Sequence, residues 1–217
     1  MITGASGLLG RALVEELSGA GYRVLAHYRR RPGAGREGVL WLKGDFSSVE
    51  GTAAFLEEHR AALRDCRHVV HSYGPILEKA TVDVTGSDLV NAFGQQLQPA
   101  LDITRFLLAG GGLRSALFIA FEDTGRVRPY AKVLAFAMAK NSLLLLSRSL
   151  AAVHPGVRFN VFSPPTLAGA AVRHPTIGPV AAAEVAAKVR RILRGRGTGR
   201  HYRWTAPGRE PISGRKA

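Results

Sequence analysis

Residues 3–10 read TGASGLLG and place glycines at positions 4, 7 and 10, just before an amphipathic run over 8–20. Gly4 permits a tight turn, Gly7 lets the backbone approach a pyrophosphate, and Gly10 lets a helix pack closely on a strand. The amino end of the helix then faces the phosphates. Three glycines alone are a weak motif. Between the first strand and the first helix of an alternating chain, they predict a dinucleotide site.

The rest of the chain alternates short apolar runs with helical patterns, which indicates an α/β fold with a doubly wound, Rossmann-type parallel sheet covered on both faces. Strands are expected at 1–3, 23–28, 39–42, 68–71, 116–121, 157–162 and 201–204. Helices are expected at 8–20, 49–63, 88–108, 130–153 and 180–193. We therefore predict one nucleotide-binding domain over 1–204, followed by a basic C-terminal tail over 205–217.

Composition narrows the classes of protein. The chain has 217 residues, 46% of them hydrophobic, which suits one domain with a real core. No apolar run reaches the ~18 residues that cross a bilayer. Met1 leads directly into the first motif without a secretory signal, and the lone Cys66 excludes an intrachain disulfide. We expect a cytoplasmic protein without a membrane partner.

The net charge and the histidines bear on which partners or metals the chain could bind. The formal net charge is +14, concentrated toward the C-terminal end. It indicates either an anionic partner or an arginine-rich solvated surface. Since none of the regular base-reading modules is present, no specific nucleic-acid partner is expected. The seven histidines lack metal-ligand spacing, so no metal site is predicted.

The ends of the second and third strands suggest which cofactor binds. His27 and Tyr28 are followed by Arg29, Arg30 and Arg31, where an acidic residue would hold a free ribose 2′-hydroxyl and arginine would hold a 2′-phosphate. This favours NADP(H) over NAD(H), although the arginines could belong to a plain basic loop.

Asp45 and Phe46 end the third strand, where a carboxylate and its neighbours can hold the adenine. Ser47 or Ser48 could equally cap the next helix.

Lys140 is unusual because it lies in the apolar run AKVLAFAMAKNSLLLLSRSL, residues 131–150. Phe136, Leu143 and Leu144 lie three or four residues away, on its own helical face. A buried lysine at such a place calls for a functional reason.

Four motifs together resemble the short-chain dehydrogenase/reductase superfamily over residues 1–204: TGASGLLG, GDFS at 44–47, HSYG at 71–74 and MAK at 138–140. The resemblance implies a Rossmann-type sheet of about seven strands. It also implies that Lys140 holds the nicotinamide-ribose hydroxyls, a setting that should depress its pKa. Further cofactor contacts are implied at Ser6, Leu9, Ser72, Tyr73, Gly74, Pro164 and Thr166.

Three catalytic positions depart from the family pattern. Phe136 stands where the family has its proton-donating tyrosine, and Asp123 stands where it has a serine. Gln96, or less favourably Gln95, falls where it has an asparagine. Only Lys140 keeps the family residue.

One branch of the superfamily shares two of these features. Pteridine reductases and related dihydropterin reductases carry histidine, tyrosine and basic residues after the second strand, and aspartate at the position of Asp123. That branch keeps the tyrosine, however, and tends to have an arginine where Leu8 stands here.

The main hypothesis is an NADP(H)-dependent oxidoreductase that reduces a small carbonyl, imine or pterin-like substrate. Lys140 would hold the ribose, and Asp123, either alone or with Tyr73, would supply the proton directly or through water. Tyr73 could instead be a ring packed on the cofactor, and Glu122–Asp123 an ordinary surface loop. The alternatives are a catalytically degraded NADP(H)-binding sensor or partner protein, and a lyase, isomerase or cyclase in the same cleft.

Two further expectations concern assembly and the substrate side. A homodimer or homotetramer through the helices at 88–108 and 130–153 is expected from the resemblance. The segment 167–178 is too short for the family's usual lid, which predicts an open cleft.

Overall fold

A computed structural model describes residues 1–126, 129–170 and 179–204. The expected basic tail at 205–217 lies outside the described residues, as does most of the segment at 167–178.

The core is a seven-stranded sheet with strand order β3-β2-β1-β4-β5-β6-β7, and every neighbouring pair is parallel. The doubly wound Rossmann-type fold predicted from the sequence is confirmed. The strands are β1 (Ile2–Thr3), β2 (Val24–Tyr28), β3 (Val39–Lys43), β4 (His68–His71), β5 (Ser115–Ile119), β6 (Arg158–Ser163) and β7 (His201–Arg203). All strands therefore begin at one edge, the amino edge, and end at the other, the carboxyl edge.

Helices cover both faces of the sheet. They are α1 (Leu8–Gly19), α2 (Val49–Glu58), α3 (Arg60–Leu63), α4 (Gly86–Gln96), α5 (Gln98–Ala109), α6 (Leu134–Val153) and α7 (Ala182–Arg194). One core cluster joins α1 and α7 to the sheet, a second joins α2, α5 and α6 to its opposite face, and a small third cluster joins α4 to α6. Covering both faces explains why β5 is buried at every residue.

The helix predicted over 88–108 is two helices, α4 and α5, which meet at Leu97. Pro99 lies in the first turn of α5, where a missing N–H costs nothing, whereas inside one continuous helix it would remove a hydrogen bond. The helix predicted over 49–63 likewise divides, at His59.

The helix expected from residue 130 begins only at Leu134. The backbone before it is engaged elsewhere, because the N–H groups of Lys79 and Thr81 donate to the carbonyls of Lys132 and Ala131 at 2.8 and 2.9 Å. At α2, Ser48 rather than Ser47 is the cap, accepting from the Gly51 N–H at 3.0 Å.

Candidate cofactor and active site

The glycine turn after β1 is too crowded for side chains. Gly4 has φ +67, and a Cβ on it would lie 2.9 Å from the Cα of Tyr73. A Cβ on Gly10 would lie 2.2 Å from the Gly4 carbonyl oxygen. Thr3 Oγ1 accepts from the N–H groups of Ser72 and Tyr73 at 3.0 and 3.1 Å, which fixes the end of β4 against the turn.

The amino end of α1 suits an anion. Gly7 precedes the helix, no side chain caps it, and its first turn carries no acidic residue. Its first N–H groups and the positive end of the helix dipole therefore remain available. Gly7 and Leu8 are exposed and Ser6 is half-buried. The side chain of Leu9 is buried, so only its main chain can contribute. This cradle fits the pyrophosphate of a dinucleotide.

His27 anchors the turn, a role that the sequence analysis missed. Its Nδ1 accepts from the Gly4 N–H at 3.0 Å, and its Nε2 donates to the Gly44 carbonyl at 3.1 Å. The ring stacks on Phe46 with centroids 3.8 Å apart. Burial lowers the pKa of His27 to about 4, so the imidazole is neutral near pH 7, with its proton on Nε2. Its place at the end of the second strand was the available signal.

The adenosine end exposes both charges expected there. Arg29 and Arg30 are exposed after β2. Asp45 is exposed too, and its Oδ1 accepts from the Ser47 N–H at 2.9 Å. The hydrogen bond from Ser47 holds the pKa of Asp45 below its usual value, and Arg29 adds to the lowering. Phe46 is fully buried, so a contact to adenine could come only from its main chain.

Lys140 is buried, with 5% of its surface exposed, and its Nζ donates to the main-chain carbonyl of Ile119 at the end of β5, at 3.0 Å. Burial lowers its pKa to about 8. Phe136 lies one turn earlier, with its ring centroid 5.8 Å from Nζ, and packs on Phe121. The lysine thus lies at the carboxyl edge, where open α/β sheets bind their ligands.

Tyr73 lies in an aromatic cluster instead of standing free in the cleft. Its ring is roughly perpendicular to His27 and Phe46, at centroid distances of 6.0 and 5.5 Å. Its hydroxyl is buried and has no hydrogen-bond partner among the described residues. Burial raises the pKa of Tyr73, which makes the phenol a weaker acid. It borders a small cavity shared with His71 and Gln96.

Gln96 reaches the turn after β4 from the last residue of α4. It is 3% exposed, and its Nε2 donates to the Pro75 carbonyl at 2.6 Å. Gly74 has φ +152, which favours glycine, and a Cβ on it would lie 1.9 Å from Gln96 Oε1, so a side chain there would displace the Gln96 amide. Gln96 therefore supports this turn, and its match to the family's asparagine stays a prediction.

Asp123 lies in a turn after β5 and is 2% exposed. Its Oδ1 lies 3.6 Å from Arg126 Nη1. Burial lowers the pKa of Arg203 on β7, and Asp123 acts against that lowering. The carboxylate therefore interacts electrostatically with two cationic side chains, those of Arg126 and Arg203. This ionic role was not predicted.

The turn after β6 is compact. Pro164 is buried and Thr166 is half-buried, and the Thr166 carbonyl accepts from the Val180 N–H at 3.0 Å. Ser163 and His201 Nε2 are 2.8 Å apart, which joins β6 to β7.

The described ranges, 1–126, 129–170 and 179–204, contain neither a metal-binding cluster nor a membrane-spanning helix. There, no three histidine, cysteine, aspartate or glutamate side chains form a group that could hold a metal ion. His174 lies outside those ranges. Among the helices described, none is long and apolar enough to cross a membrane.

A family profile, the NAD dependent epimerase/dehydratase family, matches residues 1–203. The chain belongs to this family. A search of the curated proteins gave no significant match.

Several solved structures share the fold of this chain. A putative betaketoacyl-ACP reductase is 18% identical, with a TM-score of 0.78 over 93% of this chain and 94% of that one. A short chain dehydrogenase family protein from Francisella tularensis subsp. tularensis SCHU S4 is 15% identical, with a TM-score of 0.78 and the same coverage. The angucycline C-6 ketoreductase LanV with bound NADP is 18% identical, with a TM-score of 0.77 over 93% and 92% of the two chains. Membership of the short-chain dehydrogenase/reductase superfamily is confirmed.

The epimerase/dehydratase fold brings most of the predicted cofactor residues to the carboxyl edge. The resemblance to pteridine reductases stays a prediction, as do the individual site assignments.

Proposed function

We propose that the protein is an NADP(H)-dependent oxidoreductase that reduces a small carbonyl, imine or pterin-like substrate. The observation that carries this proposal is Lys140, a buried lysine at the carboxyl edge whose pKa is lowered to about 8. A buried ionisable group with so strong a perturbation is a candidate for function.

The cofactor residues are assigned from the cradle. The turn at Gly4, Gly7 and Gly10 would hold the pyrophosphate, and Lys140 would hold the nicotinamide ribose. When bound, the nicotinamide supplies the hydride. The exposed Arg29 and Arg30 would hold the 2′-phosphate, which supports NADP(H) although the family's description names NAD.

The proton donor we propose is Lys140. Phe136 has no proton to give. Asp123 is buried beside Arg126. The hydroxyl of Tyr73 is buried, and burial raises its pKa, so this phenol is a weaker acid than usual. Lys140 carries a proton on Nζ at neutral pH and, with a pKa of about 8, is matched to donating it there. An imine or ring C=N needs less help from a strong acid than a ketone does.

Steady-state consumption of NADPH over a panel of carbonyls, imines and quinonoid dihydropterins tests the proposal. We expect turnover with at least one class, and loss of ~10²–10⁴ in rate in Lys140→Met. Phe136→Tyr should gain activity toward ketones, since it restores a phenol one turn from Lys140. Turnover that survives in Lys140→Met would remove the assignment of the proton donor.

A second candidate is a non-catalytic NADP(H)-binding protein. The observation that favours it is Phe136, because the ring leaves Lys140 without a phenol to act through. Cofactor binding without turnover over the whole panel, and no gain in Phe136→Tyr, would establish this candidate and refute the reductase.

We also infer a homodimer or homotetramer. Val90 on α4 and Met138 and Leu145 on α6 are exposed apolar side chains on two helices that pack together. Light scattering of wild type and Leu145→Glu tests it: a smaller particle in the variant supports the inference, and a monomeric wild type contradicts it.

A further inference from the structure

The amino edge of the sheet, opposite the cofactor cradle, is lined with arginines from β4 to β7. Arg67, Arg114 and Arg200 immediately precede their strands, and Arg158 begins β6. The Arg114 N–H donates to the Arg67 carbonyl at 2.7 Å, and the Arg158 N–H donates to the Arg114 carbonyl at 3.0 Å. These residues are therefore neighbours across three strands. We call the following set the basic edge: Arg67, Arg114, Arg158, Arg194, Arg196 and Arg200.

The charges of the basic edge are available to a partner. All but Arg158 are exposed, and none of the six has an ion pair with another described residue. The half-buried guanidinium of Arg158 donates to the carbonyls of Leu193, at 2.9 Å, and Gly195. The loops that enter β5, β6 and β7, residues 110–114, 154–158 and 195–200, contain no acidic residue.

The positive potential acts on a neighbouring group. Burial lowers the pKa of His68, at the start of β4, and Arg158 is the next largest cause, followed by the amino terminus and Arg67. The same loops are rich in glycine, so backbone amides are not shielded by side chains.

A groove of about 310 Å³ lies at the same edge of the sheet, between the loops that enter β5 and β6. Its walls are apolar or backbone, with one imidazole, that of His154. Arg114 follows Leu113, one of the groove's lining residues, whereas the guanidinium of Arg158 is bonded to the end of α7, on the other face of the sheet. Apolar walls next to the exposed Arg114 offer an unpaired base a place near a phosphate that this arginine binds.

We propose that the basic edge binds single-stranded nucleic acid through its phosphates, without sequence specificity. Adjacent strands lie ~4.8 Å apart, so the exposed guanidinium groups of Arg67 and Arg114, on the neighbouring strands β4 and β5, can meet phosphates of one extended chain. The groove admits a splayed base but not a base pair inside a duplex. A membrane fits less well, because Val153 is the one large apolar side chain exposed at this edge within the described ranges, and interfacial surfaces insert Trp, Phe or Leu.

The test compares two variants that each remove two exposed positive charges. Arg67→Gln/Arg114→Gln changes the basic edge, and Lys43→Gln/Lys132→Gln changes exposed lysines elsewhere. Binding of labelled oligo(dT) and oligo(U) is followed by fluorescence anisotropy over about 50 to 200 mM salt. The basic-edge variant should weaken binding and reduce the slope of log K against log salt by ~1.4, from ~0.7 per phosphate contact. The lysine variant should bind like wild type.

Three competitions complete the experiment. Saturating NADPH should not displace the oligonucleotide, whereas displacement would locate binding at the cofactor cradle and overturn the proposal. Matched duplex should bind more weakly than single strand, and equal affinity would contradict the role of the groove. Vesicles of phosphatidylcholine with phosphatidylglycerol, or polyglutamate, should compete poorly. If either binds wild type more tightly than oligo(dT) at equal salt, the edge serves a membrane or an acidic protein, and the proposal fails. If both double variants lose the same oligonucleotide affinity, binding depends on the net charge of the protein and not on the basic edge, and the proposal fails.

Discussion

At the scale of single residues, Lys140 is held in the folded protein at a cost. Its pKa is lowered from 10.5 to about 8 by burial, and the Ile119 carbonyl is its hydrogen-bond acceptor among the described residues. Charging it in the fold therefore costs on the order of 3 kcal/mol compared with the unfolded chain. A side chain that costs this much without a structural return has a function to explain it.

We predict that Lys140→Met raises the stability of the cofactor-free protein at pH 7 and weakens cofactor binding. Between pH 8 and 10.5 the unfolded lysine binds more protons than the folded one, so this group adds stability to wild type as the pH rises. The variant lacks that rise. Urea unfolding at several pH values measures it, with exposed Lys132→Met as the control. A less stable variant with normal cofactor affinity would make Lys140 a structural residue.

Cofactor preference is also decided by individual side chains. Arg29→Ala/Arg30→Ala should weaken NADP(H) binding by at least about tenfold, since a charge-assisted phosphate contact contributes ~1.5–3 kcal/mol, and should leave NAD(H) binding unchanged. Calorimetric titration of both cofactors measures this. Arg23→Ala, an exposed arginine at the opposite end of β2, is the matched control. Equal affinity of wild type for both cofactors would contradict the proposed NADP(H) preference.

The sequence could single out Gly4 and Gly10 from their spacing between the first strand and the first helix, and Lys140 from its apolar surroundings and the family resemblance. It could not assign His27, whose two hydrogen bonds join the ends of three strands that are distant along the chain. The ion pair of Asp123 with Arg126 is local, three residues apart, but its second cationic neighbour, Arg203, is distant along the chain and comes beside it only in the fold.

At the scale of elements, the break between α4 and α5 decides how the turn after β4 is held. A continuous helix was expected because the amphipathic pattern runs on through residues 88–108. Pro99 ends the continuous helix because it has no backbone N–H to donate, and a hydropathy pattern does not show this backbone effect. The break leaves Gln96 as the last residue of α4, with its side chain directed at the turn containing Gly74 and Pro75.

We predict that Gln96→Glu destabilises the protein by about 1–3 kcal/mol, because an ionised carboxylate of the same shape cannot donate to the Pro75 carbonyl and is buried as a charge. Cofactor affinity should fall with it, since the same turn packs against Gly4 through Tyr73. Gln95→Glu, one residue earlier and half-buried, should change stability little. Denaturant midpoints of the two variants test this. Equal effects would show that Gln96 has no special role in holding the turn.

At the scale of the whole molecule, covering both faces of the sheet leaves His27 and His71 buried and His201 half-buried. Burial is the largest cause in each case, lowering the pKa of His27 to about 4, of His71 to about 3 and of His201 to about 4. All three are therefore neutral in the folded protein near pH 7. They lie in strands β2, β4 and β7, so protonating them would place charge inside the sheet and destabilise it.

We predict that stability falls steeply as the pH drops from 7 to 5. In this window the histidines of the unfolded chain, with a pKa near 6.5, bind protons, whereas those of the folded protein stay neutral. The free energy of unfolding is therefore highest above pH 6.5 and falls as the pH drops toward 4. His27 and His71, the more buried pair, should each contribute about 2 kcal/mol of the loss at pH 5. Asp88 does not compensate, because its pKa is lowered to about 2, chiefly by the hydrogen bond from Lys79, and it stays ionised throughout. Urea midpoints at pH 7, 6 and 5 measure the effect, and His71→Gln should flatten the profile while His154→Gln, for a half-buried histidine at the amino edge, should not. A wild-type profile that is level between pH 7 and 5 would mean that these imidazoles find proton acceptors in the fold, contrary to the neutral tautomer derived for His27.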